Sequence, residues 1–423
     1  MDTRSLIDRH TQVLGAGAPL FYQAPLHIVR GEGVYLFDAD GRRYLDMYNN
    51  VPCVGHGNPR VADAMARQQA TLNVHGRYLH EGAIEFAERL VGLQAPNIES
   101  VVFSCSGTEA NEVALSIARI ATGRRGVVCT NAAYHGSNEA VGAVSHLGRR
   151  KRPNDEVRTF PFPETFRPLE PVGEDPAEAY LERLRLAIRE LENTGAGFAG
   201  LILCPLFANE GLPDVPPGFL RRASGIVHAA GGLVIADEVQ AGYGRTGRWW
   251  GHDGTDLAPD VVVAGKPMGN GLPLAATFAS RELVEKFRAR TRYFNTFAGT
   301  PLQAAAGMAV LDVIEEDGLL DNAARVGGAL KRALQDRKAR WPAIGDVRGA
   351  GLFIGIEMIG QDRSPDLARA IDIVERLKAR GFLTSNAGAH GNVVKIRPPL
   401  LFSAQHAAAF LEAFDATLAD VDG

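Results

Sequence analysis

Two residues of this chain stand where side chains do covalent chemistry. The apolar run Leu233–Ala236 is followed at once by Asp237, and the apolar run Val261–Ala264 is followed two residues later by Lys266. Both runs are rich in β-branched residues and read as buried parallel strands. Residues just past the strand ends of an open α/β sheet meet in the crevice where such sheets bind ligands. A carboxylate after a strand also serves nucleotide-binding enzymes, where it holds Mg²⁺ or ribose, so Asp237 by itself is ambiguous. Lys266 narrows the reading. The chain has seven lysines, and Lys151, Lys286, Lys331, Lys338 and Lys378 lie among charged or arginine-rich neighbours typical of solvated surface. Lys266 instead sits between a buried strand and the turn Gly269-Asn270-Gly271. Partial desolvation there lowers an amine's pKa and makes it a usable nucleophile. An amine and a carboxylate sharing one crevice match pyridoxal phosphate chemistry. The amine forms a Schiff base with the aldehyde, and the acid keeps the pyridine nitrogen protonated so that the ring can take up electrons.

A phosphate site is legible upstream. VVFSC (101–105) reads as a strand running into SGTEANEVALSIARIA, where Ala110, Val113, Ala114, Ile117, Ala118 and Ala121 share one helical face. Ser106 with Glu109 three residues on forms a capping box that starts the helix. The amides of Gly107, Thr108 and their neighbours then point outward, ready for an anion. An ordinary capped helix has the same pattern, so the signal gains its weight beside Asp237 and Lys266. Past the strand Gly126–Thr130, Tyr134 is placed to stack on a ring, although packing alone also explains a tyrosine there. Past the strand Leu201–Pro205, Glu210 brings a second carboxylate near the crevice.

The elements that must position these residues follow from the pattern along the chain. At 423 residues the chain exceeds the usual single-core size, and its composition is that of an ordinary globular protein. A net charge of −4 argues against a nucleic-acid surface. No apolar run approaches the ~18 residues that span a bilayer, and the first residues lack the apolar core of a secretion signal. Cys53, Cys105, Cys129 and Cys204 show neither metal nor redox spacing and read as reduced buried thiols of a cytoplasmic enzyme. Period-two alternation in GVYLFDADGRRYLDMYNN predicts a hairpin around Asp40-Gly41. Helices are expected near 61–72, 84–93 and 177–192, with an arginine- and proline-rich surface excursion over 148–176. Strands alternating with helices up to about residue 280 imply a mostly parallel sheet. Beyond residue 310 come helices over 302–316 and 321–339, one glycine-broken strand in VRGAGLFIGIEMI, a helix over 365–379, strands in FLTS and VVKIRPPLL, and a closing helix. That is an α+β pattern, with which the N-terminal hairpin is expected to pack.

Several motifs in register, SGTEANEVALSIAR, YHG, ADEVQAGYGRTG, KPMGNGLP and NTFAGTP, carry a resemblance over nearly the whole chain. The chain resembles the class III (ω-amino acid type) aminotransferases among the fold-type I pyridoxal phosphate enzymes. The resemblance implies an α/β large domain with a mostly parallel seven-stranded sheet over residues 61–310. A smaller α+β domain would come from both termini, 1–60 and 311–423. It implies that Lys266 is the Schiff-base lysine and proton shuttle, and Asp237 the partner of the pyridinium. Val239 and Tyr134 would flank the ring with His135 beside them, and Gln240 would reach the ring hydroxyl. Ser106, Gly107 and Thr108 match the phosphate cup. Thr296 matches a threonine offered to the phosphate of a neighbouring subunit, which implies a homodimer, or a dimer of dimers, with shared sites. Glu210 matches the acidic residue beside the substrate carboxylate, whereas Arg245 is expected to be structural. Two departures bear on substrate. Where many members carry an arginine that forks a keto-acid carboxylate, this chain has Lys395, with Arg397 two residues on. A lysine is a point charge without the fork. With Arg77 in LNVHGRYLH, these cations make the chain similar to the branch that holds alanine–glyoxylate aminotransferase 2 and phosphoethanolamine-type phospho-lyases. Arg77 and Arg397 could equally pair with surface carboxylates. The expected activity is transfer of an amino group from an amine or amino acid to a 2-oxo acid through pyridoxamine phosphate. The alternative is elimination of phosphate and ammonia from a phosphorylated amine.

Overall fold

In the computed structural model, residues 3–146, 155–170 and 174–422 are described. The seven-stranded sheet runs in the order Ser100–Ser104, Ala275–Ala279, Val261–Ala264, Leu233–Asp237, Phe198–Leu203, Gly126–Thr130, Val157–Phe160. Only Ala275–Ala279 runs antiparallel to its neighbours, and the remaining pairs are parallel. Alternate residues of the same strands feed two cores. Ile235, Val261 and Val263 pack with the helix Gly107–Thr122, while Val234, Ala236 and Val262 join the core that contains Phe219, Leu220 and Ala223 of the helix Phe219–Ala229. Covering both faces is why these strands read as unbroken apolar runs rather than as alternation.

Two smaller sheets draw on both ends of the chain. Strands Ile28–Glu32, Tyr35–Asp38 and Arg43–Asp46 form an antiparallel meander, and the C-terminal strand Phe382–Leu383 adds to it in parallel. The other sheet, Ile344–Ala350, Phe353–Met358, Val393–Ile396 and Ser385–Ala387, is wholly antiparallel. The expected hairpin therefore does pack with the C-terminal part.

Some expectations need correction. The stretch read as a surface excursion contains Val157–Phe160, an edge strand paired with Gly126–Thr130 whose Val157 and Phe160 are buried. Arginine and proline around it masked a short alternation. The rest of that excursion falls partly outside the described residues, as does Lys151. VRGAGLFIGIEMI is a hairpin of two strands rather than one, turned at Gly349 and Gly351, both at positive φ. A Cβ at 349 would stand 2.0 Å from the Phe353 carbonyl oxygen, so only glycine allows the strands to close. The expected break at residue 310 falls within one continuous helix, Pro301–Glu316, which packs on Pro59–Thr71 and Glu81–Gly92. Among the described residues no helix is long and apolar enough to cross a membrane.

Candidate active site

Asp237 closes its strand opposite Val263 of the neighbouring parallel strand, and Lys266 follows that neighbour's end by two residues. Both side chains line one cavity of about 340 Å³, the size of a small-ligand site. Ser106, Gly107, Thr108, Tyr134, His135, Val239 and Gln240 line it as well. The lining thus gathers from the ends of five strands, Ser100–Ser104, Gly126–Thr130, Phe198–Leu203, Leu233–Asp237 and Val261–Ala264, and from one helix N-terminus.

The carboxylate is tightly held. His135 Nδ1 lies 2.6 Å from Asp237 Oδ2, Asn111 Nδ2 donates to the same oxygen at 3.1 Å, and the Val239 N–H donates to Oδ1 at 3.0 Å. Lys266 is an exposed residue at the cavity it lines, yet protein atoms crowd its amine. Burial pushes its amine below the ordinary lysine range, and Arg397 pushes the same way against the opposing pull of Asp237.

The helix Gly107–Thr122 begins with Ser106 Oγ accepting the Glu109 N–H at 3.2 Å. Glu109 completes the cap by accepting the Cys105 N–H at 2.8 Å rather than that of Ser106. Intrahelical bonding starts with the Ala110 N–H to the Ser106 carbonyl, which leaves the Gly107 and Thr108 amides open toward the cavity. A Cβ at 107 would lie 2.9 Å from both Val239 methyls, so glycine lets the helix end close down on the wall.

Five candidates lie elsewhere. Glu210 is buried behind the wall, accepting hydrogen bonds from the Thr130 hydroxyl and, at 3.2 Å, the Asn209 N–H. Burial raises its carboxyl pKa. Its neighbour Asn209, unremarked in the sequence, lines the cavity instead. Lys395 and Arg397 are buried behind Gln240 and Cys204, outside the lining. Arg397 donates to Gln240 Oε1 and, at 3.1 Å, to the Tyr48 carbonyl. Lys395 makes no hydrogen bond or ion pair with any described residue, and its nearest aromatic contact is Phe353 at 5.9 Å. Burial, then the Arg397 charge, pushes its amine down to about 7. Arg77 is exposed and stacked 3.8 Å above the Phe294 ring, and Thr296 is exposed on the adjoining loop, both outside the cavity of their own chain. Among the described residues, neither Arg77 nor Arg397 forms the surface ion pair that was the other expectation. Arg245 is buried and tied to Asn50 and to the carbonyls of Leu352 and Pro398, a structural role as expected.

Sequence reasoning missed Asn111, Asn209 and Cys204. A polar residue beside the apolar stripe of a buried helix was the available signal for Asn111.

Comparison with known proteins bears directly on this geometry. The model of the family described as aminotransferase class-III matches residues 19–418. An alanine–glyoxylate aminotransferase 2-like protein of Drosophila melanogaster is 37% identical over 96% of this chain and 85% of its own. An ethanolamine-phosphate phospho-lyase homolog of Caenorhabditis elegans is 32% identical over 99% of this chain and 94% of its own. A solved Arthrobacter phospholyase in complex with phosphoethanolamine superposes with a TM-score of 0.94 at 40% identity, covering 98% of this chain and 99% of that one. The chain belongs to the class III aminotransferases, a family of enzymes that use pyridoxal phosphate to act on small-molecule amines and keto acids.

Proposed function

We propose that the cavity holds pyridoxal phosphate and that the chain transfers an amino group from an amine or amino acid to a 2-oxo acid. The observation that carries this reading is the meeting of Lys266 and a doubly anchored Asp237 in one cavity. The site fits the group on two further counts. Gly107 leaves a cradle that any side chain would fill, and the open amides beside it suit a phosphate. When bound, pyridoxal phosphate supplies an aldehyde for the amine and an electron-accepting ring.

Each residue then has a task. Ser106, Gly107 and Thr108 would hold the phosphate, Asp237 the ring nitrogen and Gln240 the ring hydroxyl, with Val239 and Tyr134 against the ring. Lys266, its amine shifted below the ordinary lysine range by desolvation, would carry a proton to and from the amine-bearing carbon of the substrate. Thr296 is exposed and does not line its own cavity. A homodimer, in which Thr296 of each copy meets the other copy's phosphate, belongs to the same reading.

A second reading is favoured by one observation: Lys395 is buried beside Arg397 without a carboxylate bonded to it. Positive charge there, although behind the cavity wall, would favour a phosphate in the cavity through its field, and the 40% identical solved phospholyase points the same way. In that case O-phosphoethanolamine and water would give acetaldehyde, ammonia and phosphate. The assay is turnover of amine donors with and without pyruvate. Aminotransfer requires the keto acid for repeated turnover. Sustained phosphate and ammonia release from O-phosphoethanolamine with no keto acid present would replace it with the lyase.

A further inference from the structure

Asn111 has no place in the chemistry described so far, yet its bonding is unusual. It is fully buried on the second turn of the helix Gly107–Thr122. Its Nδ2 donates twice, to Asp237 Oδ2 at 3.1 Å and to the His135 carbonyl at 2.9 Å. Both neighbours are acceptors, so the amide can present only its NH₂ side to them. The other end of the amide, Oδ1, is buried without a partner. An unmet buried acceptor costs free energy, and a leucine of similar size would avoid that cost. The two donated hydrogens therefore account for an amide here better than packing does.

Their effect is on which oxygen of Asp237 stays available. Oδ2 receives a hydrogen from Asn111 and another from His135, at 2.6 Å. Among the described residues, Oδ1 receives only the Val239 N–H. A carboxylate oxygen offers about two acceptor sites, so Oδ2 is saturated and Oδ1 retains one. The helix carrying Asn111 also presents the open amides of Gly107 and Thr108, one turn away.

We propose that Asn111 is a positioning residue which, with His135, saturates Asp237 Oδ2 and so reserves Oδ1 for the ring nitrogen of pyridoxal phosphate. One rigid helix then sets both the phosphate grip and the ring-nitrogen grip. The inference rests on the cofactor reading of the cavity.

The test compares two ligands on the cofactor-free full chain: pyridoxal phosphate, and its 1-deaza analogue, which keeps the aldehyde and phosphate but lacks the ring nitrogen. The wild-type chain should prefer pyridoxal phosphate. In Asn111→Asp, nearly isosteric but without the two donors, pyridoxal phosphate should bind roughly tenfold more weakly, the scale of one hydrogen bond to a charged group. The analogue should bind almost as before, so the preference collapses. Asn111→Ala should lose the preference in the same direction without adding a charge, and it supplies the measurement should the first variant fail to fold. Equal loss of affinity for both ligands, or an unchanged preference in a folded variant, would overturn the inference. A wild-type chain that binds neither ligand would overturn the cofactor reading beneath it.

Discussion

Lys266 gains its reactivity from where the strand Val261–Ala264 leaves it. With the amine desolvated and Asp237 in the same cavity, removal of the lysine removes proton transfer while the fold stays intact. Lys266→Ala should lower kcat by at least ~10²–10⁴-fold, the span of a positioned acid–base group. It should also abolish the visible band of the bound cofactor while the far-UV circular dichroism of the folded chain is kept. A variant with wild-type turnover would remove Lys266 from the chemistry. Lys395 gives a pH prediction with a definite sign. Its folded pKa of about 7 lies below the unfolded value, about 10.4 for lysine. Between these values the unfolded chain binds more protons, so this residue makes stability rise with pH, and its destabilising effect is complete below pH 7. Lys395→Met should therefore raise Tm most at or below pH 7, with the gain shrinking toward pH 10. A gain that is flat across that range would show that the amine stays charged in the folded protein. Placement at the cavity was legible where a strand end dictates it, as for Asp237, Lys266 and Tyr134. Which of Glu210 and Asn209 lines the cavity was not, because both lie in a loop with positive-φ bends at Phe207 and Gly211, which no periodicity reveals.

At the scale of elements, the helix Gly107–Thr122 and the wall residue Val239 act as one piece. The Val239 N–H is bound to Asp237, and its methyls occupy the space where a Cβ on residue 107 would fall. Gly107→Ala should therefore destabilise the fold by ~1–3 kcal/mol through overpacking, measured by denaturant unfolding, and should weaken cofactor binding as the helix end is pushed off the wall. Unchanged stability and affinity would mean that Val239 yields freely. Helices and central strands were legible because their periodicity follows from burial on one face or on both. The strands Val157–Phe160 and Ala275–Ala279 were not. The first is four residues long among arginines and prolines, and the second, AATFA, is mostly alanine, whose strand propensity is low. Both are held by neighbours distant in sequence, information that local pattern does not carry.

At the scale of the molecule, the loops bearing Arg77 and Thr296 form one exposed apolar surface. Leu79 is 95% exposed, Phe297 75% and Tyr78 65%. The two loops are locked together: His75 meets Phe294 edge-on at 5.7 Å, Arg77 stacks on the same ring, and Gly76 sits against the Ala298 and Gly299 carbonyls. A cluster of large exposed apolar side chains suits a surface that another molecule would cover. On the homodimer reading proposed above, a second copy would cover this patch and carry Thr296 to a phosphate cup. Isologous pairing buries the same patch on both copies, so each charge introduced there would be desolvated twice, once at each half of the interface. Leu79→Asp combined with Phe297→Asp should thus convert a dimer to monomers in light scattering. Cofactor should dissociate faster as a consequence, although neither residue lines the cavity. Thr296→Ala should speed cofactor release while leaving the dimer intact, which separates the contact from the assembly. Variants that remain dimeric and hold cofactor as tightly as wild type would place the partner surface elsewhere.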